Sequence, residues 1–182
     1  TSVDLAITAG HTLLETSIRE LTNENIGIVY RTQWLTSQYL SWKIITVTGT
    51  AVSSGSIATY TGTPTISGPA LLALANGNFL IVYIRLSAGE YKFYKRTSAN
   101  FLTWSSSASE ISIGGLDQTG EAGYPHLMQD TTGTIWLFFD SCEAGKVFNI
   151  YYSVSTDNGA TWGNAVKLTA YTTVAEQGRH PW

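Results

Sequence analysis

This chain carries little charge. Only 13% of its 182 residues are Asp, Glu, Lys or Arg, and the net charge is −3. A small negative balance excludes the basic surface that neutralises phosphates, so no nucleic-acid partner is expected. No apolar run approaches the ~18 residues that span a bilayer, so no membrane span is expected. The N-terminus shows no basic segment followed by an apolar stretch, so no signal peptide is visible, although a processed chain would read the same. There is one cysteine, Cys142, which excludes an intramolecular disulfide and a cysteine-based metal cluster. Its expected role is that of a small buried hydrophobe.

Long helical periodicity is missing as well. The chain is instead rich in Thr, Ser, Tyr, Trp and Gly. That composition favours β-structure with many turns, and it is common in secreted proteins. The organising stretch is Ser155-Thr156-Asp157-Asn158-Gly159-Ala160-Thr161-Trp162. The Asp157 carboxylate suits backbone N–H groups just ahead of it, Gly159 suits positive φ, and Trp162 supplies an apolar anchor. A strand-like run, Phe148 to Val154, precedes it, so the stretch reads as a turn between two strands.

The pattern repeats. Pro69, Pro125 and Pro181 are spaced by 56 residues, as are Gly77 and Gly133, and Trp104 and Trp162 lie 58 apart. Each unit reads as strand A, tight turn, strand B, loop, strand C, motif turn, strand D. The second unit spans about 67–113, with a tight turn at Asn76-Gly77 and a degenerate motif ending at Trp104. The third spans about 125–170, with its turn at Thr132-Gly133. The first is looser, about 1–48: strand A at Val3 to Ala9, strand B or a short helix at Thr12 to Leu21, a loop at Thr22 to Asn25, strand C at Ile26 to Gln33, a worn motif at Thr36 to Trp42, and strand D at Lys43 to Thr48. Pro181-Trp182 begins another unit. A fixed period with four strands predicts an all-β chain: three four-stranded blades of a β-propeller, forming a partial ring. The expectation is a fragment of a six- to eight-bladed protein, or chains that associate to close the ring.

With those residues in view, Ser155-x-Asp157-x-Gly159-x-Thr161-Trp162 resembles the Asp-box of the sialidase-like (BNR repeat) propeller superfamily. The likeness covers about 65–182 well and 1–64 weakly. The second unit departs from it, with Asn100 for the Asp and Phe101 for the Gly. The resemblance implies an extracellular or cell-surface protein that acts on or binds glycans, with structural Asp-boxes facing away from the substrate. Enzymes of the family use an arginine triad, a Tyr nucleophile paired with Glu, an Asp acid/base and an early Arg-Ile-Pro motif. The nearest match is Tyr30-Arg31-Thr32, without Ile-Pro.

Blade topology places the motif turns and A–B turns on one rim, and the B–C and D–A loops on the other, where a site belongs. On that rim Glu121 and Glu176 are repeat equivalents. They read as a carboxylate pair for glycoside hydrolysis or as solvated loop carboxylates. Arg179 suits a bidentate grip on a substrate carboxylate, or a surface ion pair. Tyr124, His126, Glu143 and His180 complete the ligand-binding candidates, with Asp140 beside the B–C loop. His126 and His180 are out of step with each other, which argues against a metal, and no cofactor is expected. The leading reading is a non-catalytic glycan-binding or adhesive segment. The alternatives are an exo-glycosidase of sialidase type with part of its site elsewhere, and a structural repeat that assembles with other chains.

Overall fold

The structure is a computed structural model and describes residues 9–21, 24–62, 66–116, 121–142 and 147–173. Among the described residues there are three four-stranded antiparallel sheets and no α-helix. The first holds β1 (Thr12–Glu20), β2 (Asn25–Trp34), β3 (Ser37–Thr46) and β4 (Ala51–Tyr60). The second holds β5 (Ile66–Ala73), β6 (Phe79–Ser87), β7 (Glu90–Ser98) and β8 (Ser109–Ile111). The third holds β9 (Ala122–Gln129), β10 (Ile135–Ser141), β11 (Asn149–Ser155) and β12 (Val166–Lys167). Strands follow sequence order within each sheet, and β5 lies against both β1 and β9. The first strands therefore line one axis and the sheets radiate from it, which is a partial β-propeller.

The middle sheet is buried on both faces, and β6 shows why it reads as a continuous apolar run. Leu80, Val82 and Ile84 point into a core shared with the third sheet, against Leu127, Ile135, Leu137 and Phe139. Ile81 and Tyr83 point the other way, into a core shared with the first sheet, against Val29, Leu40, Trp42 and Ile57. Strand periodicity of two sorts one sequence into two cores. Cys142 is buried, as expected of a small hydrophobe.

The first sheet corrects the sequence reading by one strand. Thr12 to Leu21 is extended, not helical, and it is the innermost strand rather than the second. The segment from Val3 lies largely outside the described residues, and Ala9-Gly10 is a turn. The worn motif at Thr36 to Trp42 is no third-to-fourth-strand turn. It runs from a tight turn at Leu35-Thr36 into β3, where Trp42 pairs with Val29 and Gly55. The fourth strand is Ala51–Tyr60, a segment whose Ser, Thr and Gly content reads as loop. Gly55 sits mid-strand because the Trp42 indole lies over it, where a Cβ would come within 2.8 Å of Nε1. The first sheet therefore spans 12–60 and not 1–48, and the Glu24 turn moves to the opposite rim.

Two turn expectations hold. Asn76-Gly77 and Thr132-Gly133 both join first to second strands, with Gly77 and Gly133 at positive φ of 84° and 90°. Lys92, Lys95 and Arg96 of β7 are each engaged. Lys92 bridges Glu90 and Glu110 at 3.3 and 3.5 Å. Arg96 is buried and donates to the carbonyl of Ser105. Lys95 donates to the carbonyls of Gly159 and Ala160 in the third sheet's motif turn.

Candidate functional site

The three innermost strands share one irregularity. In β1 the register slips between Leu13 and Glu15, and in β5 between Ser67 and Pro69. In β9 it slips between Gly123, opposite Asp140, and His126, opposite Phe138. Each strand holds one extra residue at the same level of its sheet. A bulge bends a strand and re-aims the side chains beside it. Gly68 takes φ of 21° there and Tyr124 takes 48°, a left-handed value that strains a residue with a Cβ.

The bulges draw the strands together. Tyr124 N donates to Ser67 Oγ at 3.2 Å, and Leu71 N donates to Ser17 Oγ at 3.0 Å. A Cβ on Gly68 would stand 3.6 Å from Pro125 Cδ and 3.9 Å from the Glu15 carboxylate. Between these strands lies a groove of about 310 Å³, lined by Glu15 to Ser17, Arg19, Gly68 to Leu71 and Tyr124 to Leu127.

Its charges are held in place. Arg31 Nε sits 2.8 Å from Glu15 Oε2, and Arg31 Nη1 donates to Gln38 Oε1 at 3.2 Å. Gln38 Oε1 also accepts Ile66 N at 2.9 Å, which ties the pair to the second sheet. Burial pulls Arg31 below its ordinary value, opposed by Glu15 and by the nearby Tyr124 phenol. Arg19 reaches from β1 to β9, donating to the carbonyls of Ile18 at 2.9 Å and Leu127 at 3.5 Å. His126 is half-buried. Burial first, and then the charge of Arg19, lower it from the ordinary imidazole value. The groove thus offers the Glu15 carboxylate, held from behind by Arg31, with the Arg19 guanidinium, the Tyr124 phenol and the His126 imidazole. That set donates and accepts hydrogen bonds toward hydroxyl-rich molecules.

The sequence candidates divide. Tyr124 and His126 line the groove. Glu121 does not: it is exposed at the entry to β9, its carbonyl accepts from Cys142 N at 2.9 Å and Ser141 Oγ at 3.2 Å, and its charge acts on Tyr91 of β7. Asp140 is fully buried behind the β9 bulge, where a Cβ on Gly123 would be 3.0 Å from its Oδ1. Glu143, Glu176, Arg179 and His180 lie outside the described residues. The sequence does not point to Glu15 and Arg19, because the first unit reads one strand out of step. The signal was present, since stepping back about 56 residues from Tyr124 gives Gly68, and a similar step gives Leu14.

The Ser155 to Trp162 turn lies on the opposite rim. Ser155 Oγ donates to Asp157 Oδ1 at 2.8 Å and accepts Gly159 N at 2.9 Å. Asp157 accepts Thr161 N at 2.8 Å and Thr161 Oγ1 at 2.6 Å, and Trp162 Nε1 donates to Gly159 O at 3.2 Å. These bonds, led by Thr161, hold Asp157 down at about 2. The degenerate copy builds the same turn one residue shorter. Asn100 Oδ1 accepts Leu102 N and Thr103 N at 3.0 and 2.9 Å, and Trp104 Nε1 donates to Phe101 O at 3.0 Å.

No family profile and no curated protein matches the chain. Solved structures match it in fold. An α-L-arabinanase of Penicillium chrysogenum complexed with arabinobiose is 15% identical, with a TM-score of 0.68 over 86% of this chain and 50% of its own. The Hadza microbial sialidase Hz136 is 12% identical, with a TM-score of 0.65 over 81% and 36%. A family 117 glycoside hydrolase of Zobellia galactanivorans is 12% identical, with a TM-score of 0.65 over 88% and 56%. The chain spans about half the length of these proteins or less. At such identities the likeness is one of fold.

Proposed function

We propose that this chain is part of an extracellular, sialidase-like propeller that holds a glycan in the groove between its innermost strands. The observation that carries this reading is the convergence of three bulged strands on Glu15, Arg19, Tyr124 and His126. Glycans present dense hydroxyls, and fixed donors and acceptors in a concave groove suit them. The Ser155 to Trp162 turn is an Asp-box in this reading, with a scaffolding role on the far rim. The three sheets are three consecutive blades. Further blades, or a second chain, cover the apolar side chains left exposed on the outer sheets, such as Ile18 and Met128.

As it stands the segment binds and does not turn its ligand over. Among the described residues the groove is lined by one carboxylate, Glu15, and that carboxylate is committed to Arg31. Two-carboxylate hydrolysis needs a proton donor as well as a nucleophile or base. A glycan array probed with the 182-residue chain tests the reading. Hits weakened by Arg19→Ala and Tyr124→Ala support it, and a blank array overturns it.

One arrangement favours a second reading, that of a glycosidase completed by blades outside this chain. Tyr124, strained at the bulge, lies close enough to Arg31 to act on it electrostatically, and Glu15 is paired to the same arginine. In sialidase-type chemistry a Tyr nucleophile works beside a Glu, and the fold neighbours carry glycoside-hydrolase names. Release of nitrophenol from aryl glycosides by a ring-closed protein, lost in Tyr124→Phe, would replace the binding reading with this one.

A further inference from the structure

Gln38 stands between the groove's ion pair and the second sheet. It is the second residue of β3, ahead of Leu40 and Trp42, which both pack towards the second sheet. Side chains alternate along a strand, so Gln38 faces the same way. Arg31 lies two residues after Val29 of the same core, and Glu15 is its cross-strand partner. All three polar side chains therefore share the side of the first sheet that meets the second.

The Gln38 carboxamide accepts twice through one atom. Its Oε1 takes Arg31 Nη1 at 3.2 Å and Ile66 N at 2.9 Å. Both neighbours are donors, so only one orientation of the amide serves them. The planar Arg31 guanidinium is thereby held at two points, Nε by Glu15 at 2.8 Å and Nη1 by Gln38. Ile66 begins β5, and Ser67 beside it accepts Tyr124 N on its Oγ at 3.2 Å. One side chain of the first sheet is thus tied to Glu15 at the β1 bulge and, through β5, to Tyr124 at the β9 bulge.

The chemistry of position 38 fits this place. A carboxylate there would compete with Glu15 for the charge of Arg31. An apolar side chain would leave a sheltered guanidinium nitrogen and the N–H of the fully buried Ile66 without an acceptor. An amide fixes both donors and leaves the charge of Arg31 to Glu15.

We propose that Gln38 is the positioning residue of the groove: it sets the Arg31 guanidinium that holds Glu15, and it seats the start of β5, from which Ser67 holds Tyr124. What the groove takes rests on the glycan reading above, whereas the positioning is measured without a ligand. The test is hydrogen exchange by NMR on the 182-residue chain, followed at Arg31 Nε–H and at the main-chain N–H groups of Ile66 and Tyr124. Leu137, in the middle of the third sheet, is the control. Gln38→Met keeps the side-chain length and removes the acceptor, and Gln38→Glu keeps an acceptor.

In Gln38→Met, exchange is expected to be about tenfold faster at Arg31 Nε–H, Ile66 and Tyr124, and unchanged at Leu137. In Gln38→Glu, Ile66 and Tyr124 are expected to return to the parent rates. Parent rates at Arg31 and Tyr124 in Gln38→Met overturn the proposal, whatever happens to the melting temperature. An equal acceleration at Leu137 also overturns it, because that marks a general loosening. Array hits of unchanged strength in Gln38→Met overturn it as well. A blank array from the parent overturns the glycan reading alone, and the exchange rates then decide the positioning by themselves.

Discussion

Arg31 Nε lies 2.8 Å from Glu15 Oε2, across the strand pair at the level where β1 bulges. The side chains are 11% and 23% exposed, between the surface and interior regimes. Removing the cation leaves a sheltered carboxylate at the point where three strands meet. Arg31→Ala is therefore expected to lower unfolding free energy by about 1–3 kcal/mol in urea titrations. Arg31→Lys is expected to recover only part of it, because the single ammonium cannot serve Glu15 and Gln38 together. Stability equal to the parent in Arg31→Ala would show that the pair is not structural.

Phe101 binds the second sheet to the first. Its ring lies over Gly27 so closely that a Cβ there would come within 2.6 Å of Cζ and 2.9 Å of Leu21 Cδ2. Phe101 is 1% exposed at φ of 64°. Gly27→Ala is expected to cost about 1–3 kcal/mol by overpacking, measured by thermal or chemical unfolding. A neutral result would mean the ring has room to retreat.

Asp157 organises its turn from an exposed position. Asp157→Ala is expected to lower the melting temperature and leave any ligand affinity of the groove unchanged, because the turn and the groove occupy opposite rims. A binding loss with unchanged melting would overturn that assignment.

Asp130 and Asp157 give acid stability a defined direction. Both fall from 3.8 to about 2 in the folded state, Asp130 chiefly through its bond from Trp136 and Asp157 through Thr161. A lowered carboxylate stabilises the fold above its unfolded value, and the contribution is lost as pH falls. Melting temperature is expected to decline from pH 3.8 towards about 2. The decline should be shallower in Asp157→Asn and shallower again with Asp130→Asn.

His126 has the opposite charge type and the same slope. Its folded value is lowered from 6.5 by burial and by Arg19, so the unfolded chain takes up the proton first. Stability is full above 6.5 and falls as pH drops from there to the folded value. Histidine proton shifts should titrate below 6.5, and Arg19→Gln should move that midpoint upward by removing the nearby charge. A midpoint unmoved by Arg19→Gln would separate the two groups.

The second and third sheets were legible because each carries its own punctuation. Asn76-Gly77, Thr132-Gly133 and the two Trp-ended turns sit at repeat positions, and their hydrogen bonds are local. The first sheet lacks that punctuation. Its second turn is only Leu35-Thr36, and its fourth strand, Ala51–Tyr60, reads as a Ser- and Gly-rich loop. That strand exists because the Trp42 indole lies over Gly55 and the neighbouring side chains bury Ile57 and Ala58, a contact between strands that composition does not display. Of the site residues, Tyr124 and His126 follow from the repeat. Glu15 and Arg19 follow only once β1 is known to be innermost.

The sequence by itself determined the all-β class, the period and the local turns of the second and third sheets, since those turns depend on interactions between residues a few positions apart. Tertiary structure decided which strand lines the axis, that three bulges fall at one level, and that Arg31 closes on Glu15 there. Those outcomes depend on which sheet packs against which. Packing between sheets joins residues as distant as Arg19 and Leu127, and no spacing along the chain records it.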